Sequence, residues 1–362
     1  MDISIFLELA YDDPMRRDFA EVFENGLQQV ELADRLGYRN VWITEHHFLP
    51  GFSASAAPEI FLAAAAARTK NIRLGHGIVL LPLKINHPLR IAERVATLDA
   101  ISGGRVDWGG GRAISSIELD AFGVAPDDTR PQWEEALAAI PQMWMNDEFE
   151  WDSPLLQVPK RSVLPKPTQT PHPPMFVAAT QPSSIEFAGK NGLGVLGFGV
   201  QQSEAGTFVE QYERAIADAV PLGAFVNKRF NVFTIALCLD DQQEALDIQV
   251  PNFQRYWDYV EELYKPWTKG EKPQSYSWAL EHIFTTLDAM RGTSMEDLTA
   301  AGGAAIGDVD HCIQTLQVLA DAGCDEVMLH MGSFSTPHEK VMRSIELFAT
   351  EVIPRVKQRT IV

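Results

Sequence analysis

Residues 19–44 read FAEVFENGLQQVELADRLGYRNVWIT, and this stretch contains the unit from which the fold is built. Its apolar residues recur at the spacing of an amphipathic helix with one buried face. They are Phe19, Val22, Phe23, Gly26, Leu27, Val30 and Ala33. Gly37 then suits a helix end, and Asn40–Thr44 has the apolar character of a buried strand. The stretch therefore predicts one helix–strand unit of an α/β protein.

The same order of helix, glycine and apolar strand recurs along the chain. Further helices are predicted for Pro58–Arg68, from Pro88, for Ser183–Lys190, from the capping residue Asp308, and for His338–Lys357. Strands are predicted at Ile3–Leu9, Asn40–Thr44, Ile72–Leu81, Arg105–Trp108, Met175–Ala179, Gly194–Phe198, Phe230–Leu239 and Glu326–Met331. Alternating apolar strands and helices are typical of a parallel sheet covered on both faces. We expect a (β/α)₈ TIM barrel, with an open doubly wound sheet as the alternative.

Two stretches are too long for single connections, residues 113–172 after the fourth strand and residues 250–305 after the seventh. In a barrel, insertions that follow strands lie at the catalytic face. The second insertion is rich in aromatic residues, which predicts a cover over the pocket and an apolar or aromatic ligand. No linker divides the chain, so residues 1–362 are expected to form a single domain.

The formal net charge is −19, and no basic run is visible, which argues against nucleic-acid binding and against anionic membranes. No uninterrupted apolar stretch approaches the length of a membrane span, and the acidic start does not resemble a signal peptide. Cys238, Cys312 and Cys324 form no CxxC pair, so we expect buried thiols and a cytoplasmic location.

The first candidate site is Thr44–Phe48, because barrels place catalytic groups directly after their strands. Histidine titrates near neutrality and serves as an acid or a base. Adjacent histidines point in different directions, so only one of His46 and His47 is expected to face the pocket. A metal site needs three or four converging ligands, which this segment does not supply. The alternative is a structural histidine bonded to a backbone carbonyl.

Three further segments are candidates for ligand contact. In Trp108–Arg112, three glycines permit close approach and the arginine can bind phosphate or carboxylate, although a tight turn with a surface arginine is equally consistent. Ala178–Ser184 opens a helix whose N-terminus suits an anion, although ordinary capping by Thr180 or Ser183 is the alternative. The glycines of Gly75–Ile78 lie inside a strand, where they indicate close packing or unusual backbone.

Read in order, these segments resemble the bacterial luciferase-like flavin monooxygenases. The matching text comprises Gly37–Phe48, Gly75–Pro82, His87–Arg90, Ser102–Arg105, Arg112, Phe122–Gly123, Arg130 and Val177–Ser184. The order holds over residues 1–200, whereas residues 307–357 match more loosely. The resemblance implies a TIM barrel that binds reduced FMN at its carboxyl face, with a flavin reductase as a transient partner. It further implies reaction with O₂ to a C4a-peroxyflavin that oxidises a small organic substrate.

The resemblance also implies roles for individual residues. His46 corresponds to the catalytic histidine beside the flavin, and Gly77–Ile78 to a non-proline cis peptide beneath its ring. The implied cofactor-binding residues are Glu45, Gly77, Ile78, Arg112, Ile114, Arg130, Ala178, Ala179, Thr180 and Ser183. Among these, Arg112, Thr180 and Ser183 correspond to phosphate ligands. The implied substrate pocket contains Gly111, Ser115 and Phe198.

Two departures limit what the resemblance implies. The light-emitting luciferase subunit has a reactive cysteine where this chain has Gly111, and an acidic residue on the phosphate strand is replaced by Ala179. We therefore expect extra room over the flavin at Gly111, and no light emission is predicted.

Two alternatives to flavin-dependent oxygenation are F420-dependent hydride transfer and a non-catalytic flavin-binding protein. A homodimer is expected through the helices near the second and third strands, where Ala63–Ala67 permits close contact.

Overall fold

The computed structural model describes residues 1–198, 202–269, 272–294, 297 and 303–357. Its strands are β1 (Asp2–Leu7), β2 (Asn40–Ile43), β3 (Arg73–Leu80), β4 (Val106–Gly111), β5 (Phe149–Asp152), β6 (Gln157–Arg161), β7 (Met175–Ala179), β8 (Gly194–Gly197), β9 (Phe230–Cys238), β10 (Ala304–Gly307) and β11 (Glu326–His330). Its helices are α1 (Ala20–Leu36), α2 (Pro58–Arg68), α3 (Pro88–Ser102), α4 (Ser116–Phe122), α5 (Thr129–Met145), α6 (Pro182–Lys190), α7 (Gln202–Ile216), α8 (Gln242–Tyr264), α9 (Ser277–Arg291), α10 (Val309–Ala322) and α11 (His338–Leu347).

Strand pairing closes eight strands into a barrel. The ring runs β1, β2, β3, β4, β7, β8, β9, β11 and back to β1, and every pair in it is parallel. Closure is made by β8 and β9, where Val195 lies opposite Phe230. The expected (β/α)₈ barrel is therefore confirmed, and the open sheet is excluded.

The helices begin and end at capping residues that the sequence predicted. Gly37, Gly103 and Gly323 adopt the left-handed conformation that ends α1, α3 and α10. The carboxylate of Asp308 accepts a hydrogen bond from the His311 backbone N–H and caps α10, as expected. Among the described residues, no helix combines the length and the apolar character needed to cross a membrane.

Large side chains fill the interior of the barrel. Trp42 and Phe176 are fully buried and meet edge to face, with ring centroids 5.1 Å apart. A side chain at Gly75 would place its Cβ 2.2 Å from the Trp42 ring, so only glycine fits beside this tryptophan. The close approach that the strand glycines indicated is thus to a core ring. The three cysteines are buried free thiols, as expected.

The two long stretches contain secondary structure that the sequence did not resolve. Residues 113–172 hold α4, α5 and the antiparallel hairpin β5–β6, and residues 250–305 hold the end of α8, α9 and β10. Strand β10 adds to the sheet by pairing with the second half of β9, with Ala304 opposite Ile235.

Two local expectations are wrong. Phe23, placed on the buried face of α1, is 36% exposed, because the buried face centres on Gly26, Leu27, Val30 and Ala33 instead. The last helix does not continue to residue 357: α11 ends at Leu347 and is followed by a π turn and a short 3₁₀ turn.

Candidate active site at the carboxyl face

His46 lies directly after β2 and is held by a buried carboxylate. Its Nδ1 lies 3.1 Å from Glu118 Oε1, and its backbone N–H donates to Ser55 O. Because a carboxylate only accepts, Nδ1 carries the proton in this pair, and Nε2 is the nitrogen left for a ligand. Neighbouring His47 pairs with Glu45 instead and does not line the cavity. As expected, only one of the two histidines faces it.

Glu118 orients the histidine and was not identified from the sequence. It is fully buried and also accepts hydrogen bonds from the His47 backbone N–H and the Ser115 hydroxyl. Ser115 caps α4 through the Glu118 backbone N–H, so Ser115-x-x-Glu118 is a helix-start motif. That motif could have marked the helix start, but not the contact with a histidine 72 positions away.

The carboxylates around His46 perturb its titration. Burial opposes protonation, but the charge and hydrogen bond of Glu118 and the charges of Glu8 and Glu45 raise the pKa of His46 above its usual value. Burial likewise favours the neutral acid at Glu118, but the charge and hydrogen bond of His46 lower the pKa of Glu118. Each partner favours the charged form of the other, so His46 is poised to hold a proton near neutral pH.

A cavity of about 180 Å³ opens at this face of the barrel. Its walls are mainly aromatic and include Phe6, Phe52, Phe198, Phe233, Tyr256, Trp257, Tyr264 and Trp278. The helices α8 and α9 supply the last four of these rings together with His282 and Ile283. The expectation that residues 250–305 cover the pocket is thereby confirmed for their described part.

A smaller, more polar cavity of about 70 Å³ lies beside the first. The lining residues that the two cavities share are Arg112, Ile114, Ala178, Thr180, Tyr264 and Ala279. The other polar lining residues of the smaller cavity are Arg130, Gln181, Ser184, Ser275 and Tyr276. Two arginines and the start of α6 therefore face a space suited to an anion.

Arg112 is the least neutralised charge of this smaller cavity. Its guanidinium makes only long bonds, 3.3 Å to Ser275 O and 3.4 Å to Thr129 Oγ1, and lies 4.8 Å from the Tyr276 ring centroid. Among the residues that the structure describes, Arg112 pairs with no carboxylate, whereas Arg130 is bound to Glu134. Arg112 thus retains donors for an anionic ligand.

Strand β3 lines the large cavity through Gly77 and Ile78, and strand β4 lines the small cavity through Gly111. The Gly77–Ile78 peptide bond is cis, as the resemblance implied. The expected free room at Gly111 is absent, since a Cβ there would lie 2.6 Å from two side-chain carbons of Ile78. Ile78 occupies the space that a side chain at residue 111 would need, which corrects the inference of a wider pocket.

The sequence profile of one family, described as luciferase-like monooxygenase, matches residues 1–326. This chain belongs to that family. Among the curated relatives of this chain is 4-hydroxyprotoasukamycin monooxygenase of Streptomyces nodosus subsp. asukaensis, 28% identical over 347 residues, which are 91% of this chain and 85% of the relative. Another is the oxygenase component of the flavin-dependent trigonelline monooxygenase of Acinetobacter baylyi, 27% identical over 350 residues, 92% of this chain and 90% of the relative.

Solved structures give the same fold. The crystal structure of the monooxygenase RslO1 from Streptomyces bottropensis has a TM-score of 0.81 at 26% identity, covering 99% of this chain and 100% of that chain. An F420-dependent secondary alcohol dehydrogenase bound to an F420–acetone adduct has a TM-score of 0.72 at 18% identity, covering 99% of each chain. The second likeness shows the fold alone.

Most residues that the resemblance singled out lie at the two cavities. The large cavity is lined by Glu45, His46, Gly77, Ile78, Arg112, Ile114, Ala178, Thr180 and Phe198. The small cavity adds Gly111 and Arg130. Glu45 lines the first through a carboxylate fixed by the Leu80 backbone N–H and the Asn86 amide.

Three expected site residues line neither cavity. Ser115 is fully buried, and its hydroxyl donates a hydrogen bond to Glu118. Ala179 is buried in β7 with no exposed surface. Ser183 is exposed on the first turn of α6, so the buried Ser184 faces the small cavity instead. Within the described ranges, no group of three or more His, Cys, Asp or Glu side chains is placed to bind a metal.

Proposed function

We propose that the protein is the oxygenase component of a two-component monooxygenase. It binds reduced FMN delivered by a separate flavin reductase and uses O₂ to oxidise a small organic substrate. Membership of the luciferase-like family and the flavin-dependent oxygenase relative support this proposal. When bound, reduced FMN would supply the two electrons that activate O₂, so that one oxygen atom could go to the substrate and the other could leave as water.

The observation that carries the proposal is Arg112 beside an aromatic cavity. FMN joins a flat, largely apolar ring to a dianionic phosphate, and the two connected cavities offer matching surroundings. Arg112, Thr180 and Ser184 would bind the phosphate, since a guanidinium without a carboxylate partner and the start of a helix both favour an anion. The aromatic cavity would take the ring and the substrate.

His46 would act as the acid or base of the reaction. Glu118 fixes its Nδ1 and favours the protonated ring, so Nε2–H can donate a hydrogen bond to an oxygen atom in the cavity. The covering helices α8 and α9 exclude water, which limits loss of the activated oxygen as H₂O₂. A homodimer through α2 and α3 completes the proposal.

Stopped-flow mixing with O₂ tests the function. Reduced FMN is mixed with aerated buffer, alone or with an excess of protein, while flavin absorbance and H₂O₂ release are followed. The protein is expected to change the time course of flavin oxidation and to delay H₂O₂ release, and His46→Ala to release H₂O₂ faster while still binding FMN.

A parallel experiment with reduced F420 separates the two cofactors. An unchanged FMN time course, together with protein-dependent hydride transfer from reduced F420, would replace oxygenation by the F420 reaction. Arg343→Ala is the matched control, because Arg343 binds Asp240 on the surface, away from both cavities.

A further inference from the structure

Glu8 lies directly after β1 at the floor of the aromatic cavity and is only partly bonded. It is 3% exposed, and its Oε1 accepts a hydrogen bond of 3.2 Å from the Tyr256 hydroxyl. Its other oxygen, Oε2, is buried without a hydrogen-bond partner among the described residues. A buried carboxyl oxygen without a partner is costly, so its retention on a ligand cavity calls for a function.

His330, the last residue of β11, faces the same oxygen. Its Nε2 lies 3.8 Å from Glu8 Oε2, too far for a direct hydrogen bond, and it too lacks a partner within the described chain. Its Nδ1 lies 3.3 Å from Phe6 O, and because a carbonyl only accepts, Nδ1 carries the proton. Burial lowers the pKa of His330 to about 4, so the ring is neutral and Nε2 is an acceptor.

Aromatic rings surround this pair. His330 is stacked against Phe233 at an interplanar angle of 29° and meets Phe6 edge to face. Phe198 contacts both phenylalanine rings and lines the cavity with them. The surroundings favour a flat, apolar body. Glu8, the member of the pair that lines the cavity, offers an acceptor to a group that donates a hydrogen bond.

We propose that the substrate is an aromatic compound with a hydroxyl group, that this hydroxyl donates a hydrogen bond to Glu8 at the cavity wall, and that Glu8 takes the hydroxyl proton. This inference rests on the proposed function in one respect: it takes the aromatic cavity as the substrate site. In the step, the substrate O–H bond breaks and the proton moves to Glu8 Oε2. The electron pair stays on the substrate oxygen, and the electron-rich ring is then a better acceptor of an oxygen atom.

The charges facing Glu8 support this role. Burial raises the pKa of Glu8 to about 7, while the charge of His46 and the hydrogen bond of Tyr256 oppose that rise. The titratable groups that face Glu8 are Tyr256 from α8, His330 from β11 and His46 after β2, and His46 is itself paired with Glu118. A carboxyl that titrates near neutral pH is matched to proton transfer from a phenol.

The test uses 4-nitrophenol, whose phenolate is yellow and whose neutral form is colourless, and nitrobenzene, which lacks the hydroxyl. Each is titrated into the full chain at about pH 7, where part of Glu8 is charged. Tryptophan fluorescence reports binding, and the colour of the bound dye is compared with that of the free dye at the same pH. 4-Nitrophenol is expected to bind about tenfold more tightly than nitrobenzene, the scale of a hydrogen bond to a charged group. The bound dye is expected to be yellow.

Glu8→Gln is expected to remove the preference and to leave any bound dye colourless. Tyr256→Phe removes the hydrogen bond that lowers the pKa of Glu8. Glu8 is then the stronger base, so the bound dye should be at least as yellow as in the wild type at the same pH. Glu262→Gln is the matched control, because this exposed carboxylate lies on α8 and pairs with Lys265 at the surface. Circular dichroism verifies that each variant is folded.

Equal affinity for the two probes, or a yellow dye bound to Glu8→Gln, would overturn the inference and assign Glu8 a purely structural role. Neither titration contains flavin, so this failure is distinct from failure of the oxygenase proposal, which is decided by reduced-flavin oxidation. A folded Glu8→Gln that still binds both probes but has lost the preference for 4-nitrophenol would support the inference.

Discussion

Two buried carboxyl groups, Glu326 at the amino end of the barrel and Glu8 at the carboxyl end, differ in how fully they are hydrogen-bonded. At the amino end, Glu326 receives hydrogen bonds from Ser4 at 2.6 Å, Trp42 at 2.7 Å and Arg229 at 3.1 Å. At the carboxyl end, Glu8 receives one from Tyr256, and its second oxygen has no partner in the described chain. Burial raises the pKa of both carboxyl groups. At Glu326 the hydrogen bonds from Ser4 and Trp42 and the charge of Arg229 oppose that rise.

The amino end repeats this pattern at Asp107, which is bound by Asn40 and by two guanidinium nitrogens of Arg73. Carboxylates with a full set of partners hold adjacent strands together, because removing one partner leaves a buried charge unpaired. At the carboxyl end Glu45 and Glu118 also have several partners each. Glu8 differs from them, because a ligand in the cavity could supply the partner that its second oxygen lacks in the described chain.

The largest expected effect is at the amino end. Glu326→Ala leaves Arg229, Ser4 and Trp42 without their shared acceptor and should lower the free energy of unfolding by about 3–5 kcal/mol. Urea denaturation of the variant and the wild type measures this. A loss below about 1 kcal/mol would show that the network is not a source of stability. Glu351→Ala, on the exposed side of the last turn, is the control.

Glu8→Gln is expected to change the free energy of unfolding in the opposite direction. A carboxyl whose folded pKa is raised from 4.5 to about 7 stabilises the fold fully below pH 4.5 and loses that contribution as pH rises to about 7. Above pH 7 the neutral amide should therefore be more stable than wild type, by up to about 3 kcal/mol. The difference should vanish near pH 4. A variant less stable than wild type at pH 8 contradicts this sign.

Arg112→Ala should act on binding and leave the fold unchanged. The loss of a charged hydrogen bond predicts an affinity for FMN lower by about 1.5–3 kcal/mol. Riboflavin, which has no phosphate, should bind the variant and the wild type equally. Isothermal titration with both ligands measures this, and an equal loss for riboflavin would place the phosphate elsewhere.

The smallest effect is expected at Ser115→Ala. The substitution removes the N-cap of α4 and one hydrogen bond to Glu118, which together should cost about 1 kcal/mol of stability. Because a hydrogen bond that lowers the pKa of Glu118 is lost, that pKa should rise slightly. Thermal unfolding and the NMR titration of His46 report both changes. An unchanged His46 titration would show that Ser115 does not act through Glu118.

The sequence revealed the barrel because its signals are local. Glycines that end helices, such as Gly37, and apolar runs, such as Asn40–Ile43, depend only on neighbouring residues. These signals located all eight barrel strands. His46, Arg112 and Thr180 were identified since each follows a strand or begins a helix, where catalytic groups of barrels gather.

The parts that were missed depend on contacts between distant segments. Glu8 was read as one residue of an apolar strand, and nothing local indicates that its partners are Tyr256 and His330. Glu118 reaches His46 from an insertion, and Ile78 fills the space beside Gly111 across a strand pair. Sequence periodicity reports which face is buried, but not which loops meet over the barrel.

Anaerobic titration of the full chain with reduced FMN tests the central claim most directly, with fluorescence from Trp257 and Trp278 of the cavity wall as the signal. The account predicts saturable binding at one site per chain, weakened in Arg112→Ala and retained in folded Glu326→Ala and Glu8→Gln. Binding that is absent, or that is unaffected by Arg112→Ala but lost in Glu326→Ala, would contradict a flavin site at the carboxyl face.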